Sequence, residues 1–248
     1  MVSVFIETNF FDNQLLLFPY LYGLLFITMG HINIEKITVD NLHMIFLNSN
    51  LVDDIKILMK FIITGFGPFG SIIENPSREI ALSASQELNR QGTEATFLDW
   101  RVAMSEPDNF YRDLEPSDTF VVHIGVYSGI KKMHMEVQGI NNADFGIPDD
   151  DGKQPQNEPI DENYPHNYEL MNVLPIKDWV QVLPQYYEIS YSAGTYVCNY
   201  TYFRALTNVG RKTRGTIFIH VAEFKDFNKE FQVAGVVKLV HMIESHFR

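Results

Sequence analysis

The chain carries one cysteine, Cys198, four residues past Gly194, where an extended segment hands over to a helical one. A thiol in the first turn of a helix feels the positive end of the backbone dipole and unpaired N–H groups, and both favour the nucleophilic thiolate. The same N–H groups can hold an oxyanion. His220 closes the apolar run Ile217-Phe218-Ile219. At the C-terminal end of a parallel strand, a histidine lies on the edge where α/β sheets place their ligands. Glu136 stands among Met133, Met135 and Val137, and a carboxylate in apolar company is costly without a partner. A histidine in need of orientation is such a partner, which makes these three a nucleophile, a base and an orienting acid. Spacing alone leaves plainer readings open: Cys198 as a buried structural cysteine, and His220 as a hydrogen-bonded core histidine. His123, followed at once by Ile124-Gly125, reads as structural.

The elements that must position these groups are legible from residue 59 onward. Phe61-Ile62-Ile63-Thr64 is a short β-branched run emptying into the loop Gly65-Phe66-Gly67-Pro68-Phe69-Gly70, which predicts a buried strand and a turn-rich connection. Asn75 is a candidate N-cap and Pro76 suits a first helical turn. Ile80, Ala81, Ala84 and Leu88 then mark one face of a helix reaching to about Gln91. Residues 95–102 predict a second strand, 109–114 a short helix, and 119–124 a third strand, apolar throughout and hence covered on both faces. Met133, Met135 and Val137 alternate as in an extended segment, and 154–166 is a proline-containing surface loop. Residues 176–183 predict a helix, 187–191 a strand, 196–206 a helix, 216–220 a strand and 234–247 a terminal helix. Alternating strands and helices point to α/β with a mostly parallel sheet.

The chain has 248 residues and is 46% hydrophobic. That suffices for one domain of roughly 190–200 residues and an appendage. With 13% aromatics the composition is not that of a disordered chain. Nineteen basic residues against 31 acidic ones give a net charge of −12, which disfavours a nucleic-acid partner. A single cysteine excludes an intrachain disulfide and a multi-thiolate zinc site.

Residues 1–58 differ from the rest: they hold Lys36 and Lys56, no arginine, and six acids. Their apolar run at 15–29 is broken by Pro19 and Gly23, and is short of the ~20 residues a membrane-spanning helix needs. No basic residue precedes it, as a secretory signal would require. The expectation is an N-terminal extension over 1–58, either partly packed or absent from the mature protein, and a catalytic domain over 59–248. Met59, immediately before Lys60-Phe61-Ile62-Ile63, is a candidate start. An unpaired thiol and the weak targeting signal point to the cytoplasm, without a membrane partner.

Five ordered blocks carry a resemblance. Thr64-Gly65-Phe66-Gly67-Pro68-Phe69-Gly70 with Asn75-Pro76-Ser77 is one, and Val122-His123-Ile124-Gly125 another. Glu136 with Ile147-Pro148-Asp149-Asp150-Asp151-Gly152 is the third. Ser192-Ala193-Gly194-Thr195-Tyr196-Val197-Cys198-Asn199-Tyr200 and Phe218-Ile219-His220-Val221 complete the set. In these, residues 60–222 resemble pyroglutamyl-peptidase I, a cysteine peptidase that removes N-terminal pyroglutamate. The resemblance implies a three-layer α/β/α sandwich with a mixed, mostly parallel central sheet. It assigns catalysis to Cys198, His220 and Glu136. It also implies a substrate pocket in which Phe66 and Phe69 stack on the pyroglutamyl ring, Asn75 fixes the loop, and Val197 lines the wall beside the nucleophile. An uncharged lactam suits such a dry aromatic slot. The reaction implied is acyl transfer through an acyl-enzyme, with peptides bearing N-terminal pyroglutamate as partners. It needs no metal or organic cofactor but does need a reducing environment. Family members assemble differently, so a homo-oligomer is allowed and not specified.

The chain departs from the family pattern at Ala222, where proline usually follows the histidine motif, and at Gly146, often basic in bacterial members. Residues 103–118 are also shorter than the usual second helix. Two other readings remain: a weak or inactive relative that binds pyroglutamyl peptides without turnover, and a different hydrolase or nucleoside-binding protein on a similar sandwich.

Overall fold

The computed structural model describes residues 14–17, 25–28, 59–70 and 72–248. The chain divides into two compact units, Met1–Leu58 and Met59–Arg248. In the first, β1 (Gln14–Leu17) and β2 (Leu25–Thr28) pair antiparallel, Gln14 opposite Thr28. These strands take up part of the apolar run at 15–29; its remaining residues, and the candidate start segment before Met59, lie outside the described residues.

The second unit is built on a six-stranded sheet in the order β4-β3-β5-β10-β6-β9. Its strands are β3 (Lys60–Phe66), β4 (Ala95–Trp100), β5 (Thr119–Val126), β6 (Met133–Glu136), β9 (Tyr187–Ser190) and β10 (Gly215–Val221). β4, β3, β5 and β10 run parallel, β6 pairs antiparallel with β10, and β9 runs parallel to β6. The sheet is mixed and mostly parallel. A separate pair, β7 (Gln138–Ile140) with β8 (Glu169–Met171), is antiparallel and was not legible in the sequence.

Five helices flank the sheet among the described residues: α1 (Pro76–Arg90), α2 (Ser105–Asp113), α3 (Ile176–Val182), α4 (Val197–Leu206) and α5 (Lys229–His246). Ile80, Ala84 and Leu88 of α1 and Val236, Leu239, Val240 and Ile243 of α5 pack on one face, with Trp179 of α3. Tyr202 and Leu206 of α4, with Phe110 of α2, pack on the other against Phe218 and Trp100. The two apolar cores make the fold an α/β/α sandwich. Every residue of β10 is buried, and so are the first seven of β5, as expected of central strands covered on both faces.

Two helices are longer than the periodicity predicts. α2 begins at Ser105 rather than near 109, because Asp149 Oδ2 accepts from the Met104 N–H at 3.0 Å and Pro107 fits the first turn. α5 begins at Lys229 rather than 234, because the Asn228 side chain accepts from the Phe231 N–H at 2.9 Å. The first start depends on a residue 45 positions away in sequence, beyond the reach of a local pattern.

Candidate active site

β3 ends in the glycine- and phenylalanine-rich loop, and α1 follows it closely. Asn75 caps α1: its Oδ1 accepts from the Ser77 N–H at 3.1 Å and the Ser77 hydroxyl at 2.8 Å. Its Nδ2 donates to the Gly67 carbonyl at 2.9 Å. One buried amide therefore starts the helix and fixes the loop. The approach is close enough that a Cβ on Gly65 would lie 2.6 Å from the Ser77 carbonyl oxygen, which is why that position has no side chain.

The segment into α4 is shaped by Gly194, whose φ of +80° suits glycine, and by Tyr196 in extended conformation before the first helical residue, Val197. Cys198 is thus the second residue of α4. Tyr196 makes no side-chain cap, which leaves the first-turn N–H groups without that acceptor. Asn199, fully buried, ties the helix start to β7: its Oδ1 accepts from Ile140 N–H at 2.9 Å, and its Nδ2 donates to the carbonyls of Ile140 and Asn142 at 2.8 and 2.9 Å.

His220 lies near the end of β10, opposite Gly125 of β5 on one side and His134 of β6 on the other. Its Nδ1 is 2.7 Å from Glu136 Oε1, both side chains being buried. Glu136 Oε2 has no hydrogen-bond partner among the described residues. The Tyr202 hydroxyl of α4 donates to the Glu136 carbonyl at 2.7 Å, so the helix bearing Cys198 also braces the strand bearing Glu136. Burial pulls the His220 imidazole down. That pull is outweighed by the charge and hydrogen bond of Cys198, then by those of Glu136, and the result lies at about 9. The arrangement favours the charged form of the imidazole.

Beyond His220 the chain is held by Gln232, fully buried on α5. Its Oε1 accepts from the Ala222 N–H at 2.9 Å, and its Nε2 donates to the carbonyls of Ala222 and Phe227 at 3.1 and 2.8 Å. A proline at 222 would have no N–H to give; here an amide clamp directs the chain out of the sheet. Gly146 is exposed, with no described atom within 4 Å of where a Cβ would stand, so a larger side chain fits there.

Phe66, Phe69, Asn75 and Val197 meet at one pocket, which Cys198 also lines. The pocket is a small cleft with a cavity volume of about 20 Å³, partly open to solvent. Val102, Val126 and Tyr196 complete its wall and were missed in the sequence. The first two stand where β4 and β5 leave the sheet, and Tyr196 sits within the block that carries Cys198, so strand-end position and the motif itself were the available signals. The Tyr196 ring is 6.3 Å from Phe69 and 4.6 Å from Phe145, and its hydroxyl donates to the Pro148 carbonyl at 3.1 Å. Burial first, then the charges of Asp149 and Asp150, push its phenol up to about 12.

The Ile147–Gly152 block also has a local physical reason. Asp149, buried, accepts from Met104 N–H at 3.0 Å and from Asp151 and Lys153 N–H at 3.0 and 2.8 Å. Asp150 Oδ2 accepts from Val102 N–H at 2.8 Å. These carboxylates pin the loop to the pocket wall. His123 lies apart from the pocket: burial alone lowers it to about 3, and its two ring nitrogens bridge the Thr64 and Tyr111 hydroxyls at 2.8 Å each. No cluster of three or more histidine, cysteine or acidic side chains able to hold a metal exists among the described residues, and no described helix is long and apolar enough to cross a membrane.

Comparison with known proteins bears on the whole unit. The chain is 33% identical over 159 residues to the pyrrolidone-carboxylate peptidase of Thermococcus litoralis, covering 60% of this chain and 69% of that one. With the Brevibacillus brevis pyrrolidone-carboxylate peptidase it shares 34% over 171 residues, covering 64% and 76%. The solved pyrrolidone carboxyl peptidase of Thermococcus litoralis superposes with a TM-score of 0.59 at 27% identity, over 75% of this chain and 96% of that one. The Fervidobacterium islandicum pyrrolidone carboxyl peptidase gives a TM-score of 0.63 at 23% identity, over 75% and 99%, a likeness of fold. The sequence model of the pyroglutamyl peptidase family matches residues 59–227, and the chain belongs to that family of cysteine peptidases.

Proposed function

We propose that the chain is a thiol-dependent omega peptidase that hydrolyses the amide bond after an N-terminal pyroglutamyl residue, with residues 59–248 as its catalytic domain. The observation that carries this reading is the 2.7 Å contact of Glu136 with His220, beside a cysteine that lines an aromatic pocket. Relatives named pyrrolidone-carboxylate peptidase support the substrate class.

His220 takes the thiol proton, and Cys198 Sγ attacks the pyroglutamyl carbonyl carbon. The first-turn N–H groups of α4 hold the oxyanion. The C–N bond then breaks as His220 returns the proton to the leaving amine, leaving a thioester. Water, deprotonated by His220, attacks the thioester and releases pyroglutamic acid, and the thiol recovers its proton. Glu136 keeps the imidazole oriented and favours its charged form. Phe66 and Phe69 bind the lactam ring, which carries no charge, whereas a free α-ammonium would be desolvated there without a partner. The thiol requires reducing conditions, which fits a cytoplasmic location.

The test is release of a fluorescent amine from a pyroglutamyl amide under reducing conditions, with Cys198→Ala as control. Turnover in the wild type alone is expected. Binding of the substrate by a folded, reduced wild type without turnover would replace this reading with that of a non-catalytic binder.

A further inference from the structure

We propose that Tyr127 and His134 form a platform for the side chain of the residue that follows pyroglutamate, giving the site a preference for aromatic residues there. This rests on the peptidase reading above and extends it to the leaving half of the substrate.

The site lies along the edge of the sheet where the parallel strands end. Phe66 ends β3, Val126 ends β5 and Val102 follows β4, so the pocket stands over the β4-β3-β5 side. Cys198 lies over β5, since its Sγ would be 2.8 Å from a Cβ on Gly125. The next strand, β10, carries His220, and the one after, β6, carries His134 directly opposite His220 in register. With the acyl group in the pocket and its carbonyl at Cys198, the amine departs toward β10 and β6. The imidazole that must protonate it lies on that side.

Side chains alternate along a strand, so Tyr127 shares the Cys198 face with Gly125, and His134 shares the His220 face with Glu136. The Tyr127 ring meets His220 edge-on at 5.4 Å and lies against His134 at 6.1 Å, inclined by 32°. Tyr127 is 46% exposed, yet its backbone is fixed by an N–H bond to the Val221 carbonyl at 2.9 Å. Burial keeps His134 below its ordinary value, with Glu136 and Glu188 opposing and His220 reinforcing the shift, and its ring offers a flat face. Two rings lying against one another beside the base, one half-open to solvent, suit a planar side chain. Neither ring takes part in proton transfer; they set specificity.

The experiment compares kcat/KM for pyroglutamyl-phenylalaninamide and pyroglutamyl-alaninamide in the wild type, Tyr127→Ser and His134→Ser. Aromatic packing predicts a wild-type ratio of about fivefold, falling to within about twofold of unity in each variant. Because the ratio is taken within one enzyme, any general disturbance of His220 cancels. Inhibition by phenylalaninamide and alaninamide as free products gives a second measure that needs no turnover of the variants, and the same loss of discrimination is expected. A wild-type ratio near one, or a ratio unchanged in both variants, overturns the platform while leaving the peptidase intact. Failure of the folded wild type to cleave either peptide overturns the peptidase reading and the platform with it.

Discussion

Gly125 and Cys198 share one space: a Cβ at position 125 would stand 2.8 Å from the Cys198 sulfur and 2.9 Å from Phe218 Cζ. The thiol rests on bare backbone of the central strand, next to His220, which pairs with Gly125 across the ladder. A helix start and two neighbouring strands thereby bring a sulfur and an imidazole together without a loop between them.

Gly125→Ala is therefore expected to lower kcat by about 100-fold, the scale of effect that a displacement of about 1 Å can have on a reacting group. Steady-state kinetics on a pyroglutamyl amide, with circular dichroism to establish folding, checks this. Near-wild-type kcat would mean that the sulfur tolerates a different seat.

Cys198→Ala should abolish turnover while leaving the fold intact, because the side chain is small and only half-buried. Iodoacetamide should inactivate the wild type by a single modification at Cys198, readable by mass spectrometry. Residual turnover in the variant would remove the sulfur from the reaction.

Glu136→Gln should lower kcat by about tenfold or more through loss of imidazole orientation. It should also move the alkaline limb of the pH profile. His220 is held up to about 9, in part by Glu136, so the wild type should keep its imidazolium below that pH and lose it above. Removing the carboxylate removes one upward cause, so the limb should shift to lower pH. An unchanged rate and limb would refute the role given to Glu136.

Phe69→Ala should raise KM more than it lowers kcat if the ring serves mainly ground-state binding. The reverse pattern would assign the ring to positioning the scissile bond. Initial rates across substrate concentrations separate the two.

Gln232→Leu leaves the buried Ala222 N–H and carbonyl, and the partly buried Phe227 carbonyl, without their partner. At about 1–3 kcal/mol for an unpaired buried group, with incomplete additivity, a loss of about 2–4 kcal/mol is expected. Urea unfolding with an unchanged slope would measure it. Unchanged stability would show that water or a shifted backbone satisfies those groups.

Strand and helix order from residue 59 was legible because buried strands such as 119–124 and amphipathic faces such as Ile80–Leu88 declare themselves through local periodicity. The pocket residues Phe66, Phe69, Asn75 and Val197 were reached through resemblance, and the structure gathers them beside Cys198. Local periodicity does not carry the β7–β8 pair, the early start of α2 or the clamp from Gln232 to Ala222. The first two join residues far apart in sequence, and the third spans ten positions across the connection into α5, so each forms only when packing brings its partners together.

The amino-acid sequence by itself determined the types of the main strands and helices, the single thiol and the acidic charge, since these follow from composition and short-range pattern. Only the tertiary structure decided which groups touch. The antiparallel insertion of β6 beside β10 sets Glu136 within 2.7 Å of His220, and the register of β10 on β5 sets His220 beside the strand on which Cys198 rests. A strand's neighbour and register are chosen by burial summed over the whole sheet, and no window of the sequence contains that sum.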